Sequence, residues 1–281
     1  MFTGTSKALL LVLTLCLSAC SNLTSLMFYP QTQYVRSPED INLQYDSVAL
    51  AASDGVALNA WWLPAQGKQR AVAGRTPTVL FLHGNAENIS THIGSVYWLP
   101  EQGVNVLLLD YRGYGSSDGT PVLPDIFKDI EAATAWIQAE HPESPMFIFG
   151  QSIGASLAAY AVPELSRHYP VQGLILDAGF SGYRAVARDV TSRGILSAIL
   201  LWPFTWLLPT DWDGEDHIAE LSPVPLLMFH SPDDQTVPYH SGRRLFEAAA
   251  EPKRWVDSKG RHIQTFNFPD MRSELLNFLF R

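Results

Sequence analysis

Short apolar runs alternate with stretches of helical spacing along most of this chain. Five runs have the length and composition of buried strands, at 78–82, 104–109, 146–149, 173–177 and 225–229. Helical patterns occur at 124–140, 155–162, 242–250 and 271–280. Because strands that alternate with helices form parallel sheets covered on both faces, the pattern predicts an α/β fold with a mainly parallel sheet.

Two further runs complete the predicted sheet. Residues 47–52 and 56–63 flank an Asp-Gly pair of the kind found in hairpin turns, so we expect an antiparallel hairpin at the start of the sheet. Residues 253–257 are predicted to form the last strand, just before the final helix. The globular domain is therefore expected to span 46–281.

Strand signals vanish between 178 and 223, and an unstructured connection of that length is uncommon. We expect a small helical cap near 181–216. Its apolar run at 195–208 is interrupted by Pro203 and is too short to span a bilayer. These residues suit either a cap that covers an apolar substrate or simple packing on the core.

The first 19 residues have the pattern of a signal peptide. Lys7 precedes an apolar run at 8–17, which is too short to cross a bilayer and ends in small residues before Cys20. The order Leu-Ser-Ala-Cys resembles bacterial lipoprotein signals, which implies a signal peptide at 1–19 and acylation of Cys20. The alternatives are an ordinary secretory signal and a short uncleaved anchor.

Residues 20–45 are polar with scattered aromatic residues and prolines, and we interpret them as a lipidated N-terminus and tether. By the lipoprotein resemblance, Ser21 after the cysteine implies the outer membrane of a bacterial cell envelope. Loss of the signal peptide removes Cys16, so no disulfide is expected in the mature chain. The 28 acidic and 19 basic residues give a formal charge of −9, which disfavours nucleic acid as a partner.

The stretch 147–156 reads F-I-F-G-Q-S-I-G-A-S and joins a predicted strand to a predicted helix. A G-x-S-x-G in that position forces a tight turn and exposes the serine at the end of the sheet. Ser152 is therefore the candidate nucleophile. A serine hydroxyl also needs a base that takes its proton and an acid that orients the base.

Both partners of Ser152 are expected in loops after the ends of later strands, the acid before the histidine. The loop after the strand at 225–229 carries Asp233 and Asp234, adjacent carboxylates that point in different directions. Asp177, also at the end of a strand, is a third candidate for the acid. His262 lies between the last strand and the final helix and is the candidate base.

Five motifs together resemble the α/β-hydrolases, in the branch that contains monoglyceride-lipase-like and serine-aminopeptidase-like proteins. They are H-G-N at 83–85, D-Y-R-G-Y-G-S-S at 110–117, G-Q-S-I-G at 150–154, H-S-P-D-D-Q-T-V-P at 230–238 and G-R-H at 260–262. The resemblance covers 46–281, implies the α/β-hydrolase fold and, through the spacing to the V-P pair, selects Asp234 as the acid. Ser231 and Arg261 stand where the family usually or often has glycine, and neither departure removes a reacting group.

Acyl transfer passes through a tetrahedral intermediate whose negative oxygen needs two N–H donors. The backbone N–H of Ile153 is one candidate, because it follows the nucleophile and begins a helix. The second is expected from the loop after the H-G pair, at Asn85, with Ala86 as the alternative. Arg112, in the glycine-rich loop at 110–119, is predicted to pair with a carboxylate below the site.

The sequence thus predicts a serine hydrolase that cleaves an ester, thioester or amide through an acyl-enzyme. The expected partners are an apolar acyl substrate and, through the lipid, a membrane; no cofactor and no metal are expected. A peptidase is an alternative, because acidic residues in the cap would suit a substrate amino group; they are Asp211, Asp213, Glu215 and Asp216. A binding lipoprotein that keeps the fold without chemistry is the other alternative.

Overall fold

The computed structural model describes residues 23–67, 70–192 and 202–281. The predicted signal peptide at 1–19 and the predicted acylation site Cys20 lie outside the described residues, as does the middle of the predicted cap. No helix within the described ranges is long and apolar enough to cross a membrane.

A central sheet of eight strands organises the domain. Its strands, with two short ones that pair separately, are β1 Tyr29–Pro30, β2 Asp46–Ala51, β3 Ala57–Leu63, β4 Thr78–Leu82, β5 Ala86–Glu87, β6 Asn105–Leu109, β7 Met146–Gln151, β8 Val171–Asp177, β9 Leu226–His230 and β10 Lys253–Asp257. The order in the sheet is β10-β9-β8-β7-β4-β6-β3-β2. The six strands from β10 through β9, β8, β7 and β4 to β6 pair in parallel. Strand β3 pairs antiparallel with both of its neighbours, β6 and β2. The predicted parallel sheet, opening hairpin and last strand are confirmed.

Helices cover both faces of the sheet, as the alternating pattern predicts. They are α1 Ile89–His92, α2 Ile126–Glu140, α3 Ile153–Leu165, α4 Tyr183–Thr191, α5 Tyr239–Ala248 and α6 Pro269–Leu279. Successive side chains of a central strand enter different cores. Leu80 and Leu82 of β4 join the core under α2, α3 and α5, while Phe81 joins the core under α1 and α6.

The connection between β8 and β9 is helical in its described parts. It contains α4 and three 3₁₀ turns, at Trp202–Leu207, Gly214–Asp216 and Ile218–Leu221. Arg184 Nη2 donates to the carbonyl of Leu208 at 2.6 Å, which ties α4 to the turn beside it. The guanidinium of Arg188 lies 4.2 Å from the centre of the Trp206 ring and adds a cation–π contact to the same pairing. The cap is therefore a small helical layer.

Residues 23–35, here called the strap, differ from the predicted tether because they lie against the domain. Phe28 is buried in the main core, and β1 pairs in parallel with β5. Asn88 Nδ2 donates to the carbonyls of Gln31 and Gln33, each at 2.9 Å. Side chains from a loop distant in sequence thus satisfy the backbone of the strap, an interaction that the polarity of the segment does not reveal.

Candidate active site

Ser152 stands at the turn between β7 and α3, at the carboxyl edge of the sheet. Its backbone has φ 57° and ψ −119°, and a positive φ is uncommon for a residue other than glycine. The turn is held because the N–H of Ser152 donates to the carbonyl of Asp177 at 2.8 Å. The N–H of Ala155 donates to the carbonyl of Ser152 at 3.0 Å. This is the sharp strand-to-helix turn that the G-x-S-x-G pattern predicts.

The two glycines of that pattern are required by close approach of the backbone. A Cβ at Gly150 would collide with the carbonyl oxygen of Gly154, in the first turn of α3. A Cβ at Gly154 would collide with the carbonyl oxygens of Leu82 and His83, at the end of β4. Helix α3 therefore starts close to both strands, which brings its N-terminus to the site.

Three side chains predicted from the sequence form one chain of hydrogen bonds. The Oγ of Ser152 lies 2.9 Å from Nε2 of His262, and Nδ1 of His262 lies 2.7 Å from Oδ2 of Asp234. An ionised carboxylate only accepts, so Nδ1 carries the proton and Nε2 is left to accept from the serine. The Asp234 side chain is 1% exposed and that of His262 is 17% exposed. The acid is thus buried behind a base that faces the open side.

Asp234 is held in its ionised form by hydrogen bonds. Burial raises the pKa of its carboxyl group, but the hydrogen bond from His262 and the charge of that ring lower the pKa. The backbone N–H groups of Thr236 and Val237 also donate to Oδ1, at 2.8 and 2.9 Å. Together these donors keep the pKa of Asp234 below its usual value. The carboxylate can therefore stabilise a protonated imidazole at neutral pH.

The structure gives other roles to the two alternative acids. Asp233 is exposed, and its backbone N–H donates to Oγ of Ser231 at 3.1 Å. The carboxylate of Asp177 accepts from Nε2 of Gln151 at 2.9 Å and from Oγ1 of Thr265 at 2.7 Å. Burial raises the pKa of Asp177 to about 6. Asp177 thus links the nucleophile turn to the loop that carries the base, a role the sequence analysis missed.

A second histidine lies behind the acid. Nε2 of His230 is 3.1 Å from the carbonyl of Val237 and 3.7 Å from Oδ2 of Asp234. Burial lowers the pKa of His230, so the ring is neutral and donates its proton to that carbonyl. The contact closes the loop from 231 to 237 and helps to fix the direction of Asp234. Only its position at the end of β9 indicated this role in the sequence.

The predicted oxyanion donors lie on the same side as the nucleophile. Asn85 and Ile153 line one cavity together with Ser152. Ile153 begins α3, whose N-terminal end favours negative charge. Ala86, the alternative to Asn85, belongs to β5 and is paired with Tyr29 of the strap. The arrangement is suited to binding a negative oxygen beside Ser152.

The side chain of Asn85 is held firmly by its neighbours. Its Oδ1 accepts from the N–H of Tyr29 at 3.0 Å, and its Nδ2 donates to the carbonyl of Met27 at 2.7 Å. The hydroxyl of Tyr114 donates to the backbone carbonyl of Asn85 at 2.7 Å. Tyr114 is itself buried in the main core. Asn85 is therefore fixed between the strap and the domain.

A cavity of about 730 Å³ adjoins Ser152 and is lined mainly by apolar side chains. The strap, the core and the cap each supply part of its wall. The apolar lining residues are Leu26, Met27, Tyr29, Ile153, Phe180, Tyr183, Val186, Ala187, Val190, Phe204, Leu207, Leu208 and Val237. A cavity of this size and character beside a nucleophile suits an extended apolar group. The contribution of the strap to this wall was not predicted.

Arg112 forms the pairing predicted below the site. Its Nη2 donates to Oδ1 of Asp129 at 2.6 Å, and its Nη1 to Oδ2 of Asp54 at 2.9 Å. Both Arg112 and Asp129 are buried. The two ion pairs fasten the loop after β6 to α2 and to the opening hairpin, so this arginine is structural.

No group of three or more histidine, cysteine or acidic side chains is placed to hold a metal ion in the part of the chain that the structure describes. The side chains of His262 and Asp234 are engaged in the hydrogen bonds described above. These residues define a serine-centred hydrolytic site on an α/β sheet.

Comparison with known proteins agrees with that class. Residues 75–211 match the family described as serine aminopeptidase, S33. The uncharacterized protein YfhR of Escherichia coli O157:H7 is 30% identical over 279 residues, which cover 96% of this chain and 92% of YfhR. The chain belongs to the α/β-hydrolase superfamily, as the sequence motifs indicated.

Other relatives and solved structures are similar to this chain. Lysophosphatidylserine lipase ABHD12 of Rattus norvegicus is 31% identical over 250 residues, which cover 82% of this chain and 63% of that lipase. The solved structure of the Pyrococcus furiosus esterase Pf2001 has a TM-score of 0.70 at 20% identity, covering 89% of this chain and 95% of the esterase. An α/β-hydrolase of Vibrio vulnificus has a TM-score of 0.68 at 17% identity, covering 85% of this chain and 83% of that protein. These structures confirm the fold.

Proposed function

We propose that this protein is a serine hydrolase that cleaves carboxylic esters of apolar acyl groups through an acyl-enzyme. The observation that carries the proposal is the chain of hydrogen bonds from Ser152 through His262 to the buried carboxylate of Asp234. Ser152, where that chain begins, lines an apolar cavity large enough for an acyl group. Geometry and surroundings therefore suit the same reaction.

In the proposed reaction His262 moves the protons. Its Nε2 takes the proton of Ser152 while Oγ attacks the carbonyl carbon, and the negative oxygen that forms is held by the N–H groups of Asn85 and Ile153. The same Nε2 then gives the proton to the departing alcohol, which leaves an ester on Oγ. In the second half of the reaction Nε2 takes a proton from water while the water oxygen attacks the carbonyl carbon of the acyl-enzyme. Nε2 then gives that proton to Oγ of Ser152 as the ester bond breaks and the carboxylic acid is released. Asp234 stays ionised throughout and stabilises the charged imidazole.

The cavity and the relatives support a lipid ester as substrate. Its lining is mainly apolar, and the mammalian relative described above is named a lysophosphatidylserine lipase. Thioesters and amides of the same acyl groups remain within the reach of this chemistry. A polar substrate would leave its own groups without partners against such a wall.

A peptidase is the second candidate, because the matching family is described as a serine aminopeptidase. Two of the four acidic residues that would suit a substrate amino group have structural partners. Asp213 Oδ1 accepts from the N–H of Tyr183 at 2.8 Å, and Glu215 pairs with Arg244 at 2.6 Å. These contacts favour the esterase over the peptidase.

We also propose that the protein is held at a bacterial cell envelope, on the outer membrane, by acyl chains on Cys20. The signal-like sequence that ends at Cys20 supports this location. The strap, which begins only three residues later, lines the cavity through Leu26 and Met27. A lipid anchor there would keep the cavity close to its apolar substrates.

Labelling with a fluorophosphonate tests the nucleophile. We expect the wild-type protein to react and Ser152→Ala to be inert, because only an activated serine attacks the probe. Ser166→Ala, which changes a serine at the other end of α3, is the matched control and should label like the wild type. Equal labelling of the wild type and Ser152→Ala would refute the assignment.

The type of bond is tested with matched substrates. A series of p-nitrophenyl esters of increasing chain length is compared with aminoacyl amides, using the wild type and Ser152→Ala. We expect higher kcat/KM on medium-chain esters than on acetate or on the amides. Preference for the amides would favour the peptidase, and no turnover of either series would favour the binding protein.

A further inference from the structure

We propose that the strap contributes to catalysis by holding the side chain of Asn85. Asn85 is then a positioning residue, whose side-chain contacts with the strap aim its backbone N–H at the negative oxygen. This inference rests on the proposed function, because it concerns how the N–H of Asn85 is aimed at the negative oxygen. It assigns a role in the reaction to residues 23–35, which the sequence suggests are only a tether.

The first argument is the way in which Asn85 binds the strap. Its amide uses both of its ends, accepting from the N–H of Tyr29 and donating to the carbonyl of Met27. These two backbone groups lie on either side of Phe28. The side-chain amide therefore forms the pair of hydrogen bonds that the backbone of a neighbouring parallel strand would otherwise form. The pairing then continues from β5 to β1, where the N–H of Gln31 donates to the carbonyl of Glu87 at 3.2 Å.

The second argument is that the strap is itself fixed at two places. Phe28 is 4% exposed and packs in the main core. Farther along, the hydroxyl of Tyr34 donates to Oδ2 of Asp110 at 2.6 Å, and Oδ1 of the same carboxylate accepts from the N–H of Ile89 at 3.0 Å. The strap is therefore fixed both at Phe28 and close to Ile89, which follows the loop at 85–88 that carries the proposed donor.

The third argument is energetic. A donor to a developing negative charge is effective only when it is already aimed at that charge, and removal of one such donor lowers kcat by about 10²- to 10³-fold. Misplacement by roughly 1 Å can cost about 10²-fold. Asn85→Ala keeps the backbone N–H but removes both bonds to the strap. It should therefore lower kcat by releasing the donor, without removing the donor.

The experiment compares four full-length variants with the wild type on a p-nitrophenyl ester. Asn85→Ala removes the link, Phe28→Ala loosens the strap, and the double variant does both. Asn105→Ala is the matched control, because its side chain also joins a distant backbone N–H, that of Ala65 at 2.8 Å. Asn105 starts β6, at the end of the sheet opposite Ser152.

We expect kcat to fall by roughly 10- to 100-fold in Asn85→Ala while KM stays within about 3-fold, because positioning acts on the transition state. Phe28→Ala should lower kcat in the same direction. The double variant should be no slower than the slower single variant, because both changes break the same link. Asn105→Ala should keep the wild-type kcat.

Two results would overturn the inference. An unchanged kcat in Asn85→Ala would show that the link does not position the donor, and multiplied effects in the double variant would show that strap and link act separately. If Asn85→Ala does not fold, Phe28→Ala decides alone, because it loosens the strap and leaves Asn85 unchanged; a normal kcat in that variant would count against the inference. If the wild-type protein shows no turnover that depends on Ser152, the proposed function itself is refuted.

Discussion

Two buried carboxylates near Ser152 have opposite pKa shifts. Asp234 is surrounded by charge-stabilising donors, including His262, so its pKa lies below the usual value. Asp177 is buried and accepts from the neutral side chains of Gln151 and Thr265, so its pKa rises to about 6. Because of these opposite pKa shifts, Asp234 is the carboxylate that stabilises the charged base. Asp177 instead links Gln151 to Thr265.

The linking role of Asp177 predicts a particular pH dependence of stability. Its pKa is about 6 in the folded protein, above the ordinary value of about 3.9, so the folded state holds this proton more tightly. The stability that it contributes is complete below about pH 4 and is lost as the pH rises through about 6. In Asp177→Asn no proton is released. We therefore expect the wild type to lose about 3 kcal/mol relative to the variant between pH 4 and pH 7.

Urea unfolding of both proteins at several pH values between 4 and 7.5 measures that difference. Other buried carboxyl groups titrate in the same range, among them Asp110, whose pKa burial raises to about 6. The comparison between wild type and variant removes their contribution, because both proteins contain them. A constant difference in the free energy of unfolding would contradict the assigned pKa of Asp177.

At the scale of elements, most of the sheet could be predicted because its central strands are buried on both faces. The run at 78–82 coincides with β4, which is buried along its whole length. The two-residue strands β1 and β5 could not be found, since their pairing depends on side chains such as Asn88 that bind from far along the chain. Apolar patterns reveal burial, whereas bonds between distant backbone groups leave no local signal.

The candidate site shows the same division. Gly150 and Gly154 identify the nucleophile because close packing of α3 allows no other side chain. The resemblance to the α/β-hydrolases selected Asp234 through its spacing to the V-P pair, and that carboxylate lies 2.7 Å from Nδ1 of His262. The linking role of Asp177 and the contribution of the strap were not predicted, since both arise only when strands β7, β8 and the loop at 85–88 meet at one edge of the sheet.

Helix α4 predicts how chain-length preference can be changed. Ala187 lines the apolar cavity, whereas Ala185 lines a smaller polar hollow beside Ser181 and His240. Ala187→Phe should occupy part of the cavity and lower kcat/KM for p-nitrophenyl decanoate by roughly 10-fold or more. Activity on the acetate ester should change little, because a short acyl group does not reach that wall.

Ala185→Phe is the matched control for this change, since the two alanines lie on one helix and are both half-buried. Its ratio of decanoate to acetate activity should stay at the wild-type value. Equal loss of decanoate activity in both variants would indicate a general disturbance of the cap. An unaltered ratio in Ala187→Phe would mean that the acyl group binds elsewhere.

At the scale of the whole molecule, the N-terminal region joins the proposed anchor to the site. Leu26 at 73% and Phe204 at 64% exposure are apolar residues of the cavity lining, one from the strap and one from the cap. The formal charge of −9 opposes binding to an anionic lipid surface, so attachment by acyl chains fits this protein better than attachment by charge. Each buried CH₂ of such a chain contributes about 0.8 kcal/mol.

The two cysteines of the chain provide a matched test of the proposed anchor. The full-length protein is produced in a bacterium fed with an alkynyl fatty acid, and the incorporated lipid is detected on the purified chain. Wild type and Cys16→Ser should carry the label, while Cys20→Ser should carry none, because only the thiol at position 20 follows the Leu-Ser-Ala sequence. An unlabelled wild-type protein would favour an ordinary secretory signal, and label retained in Cys20→Ser would place the lipid on another residue.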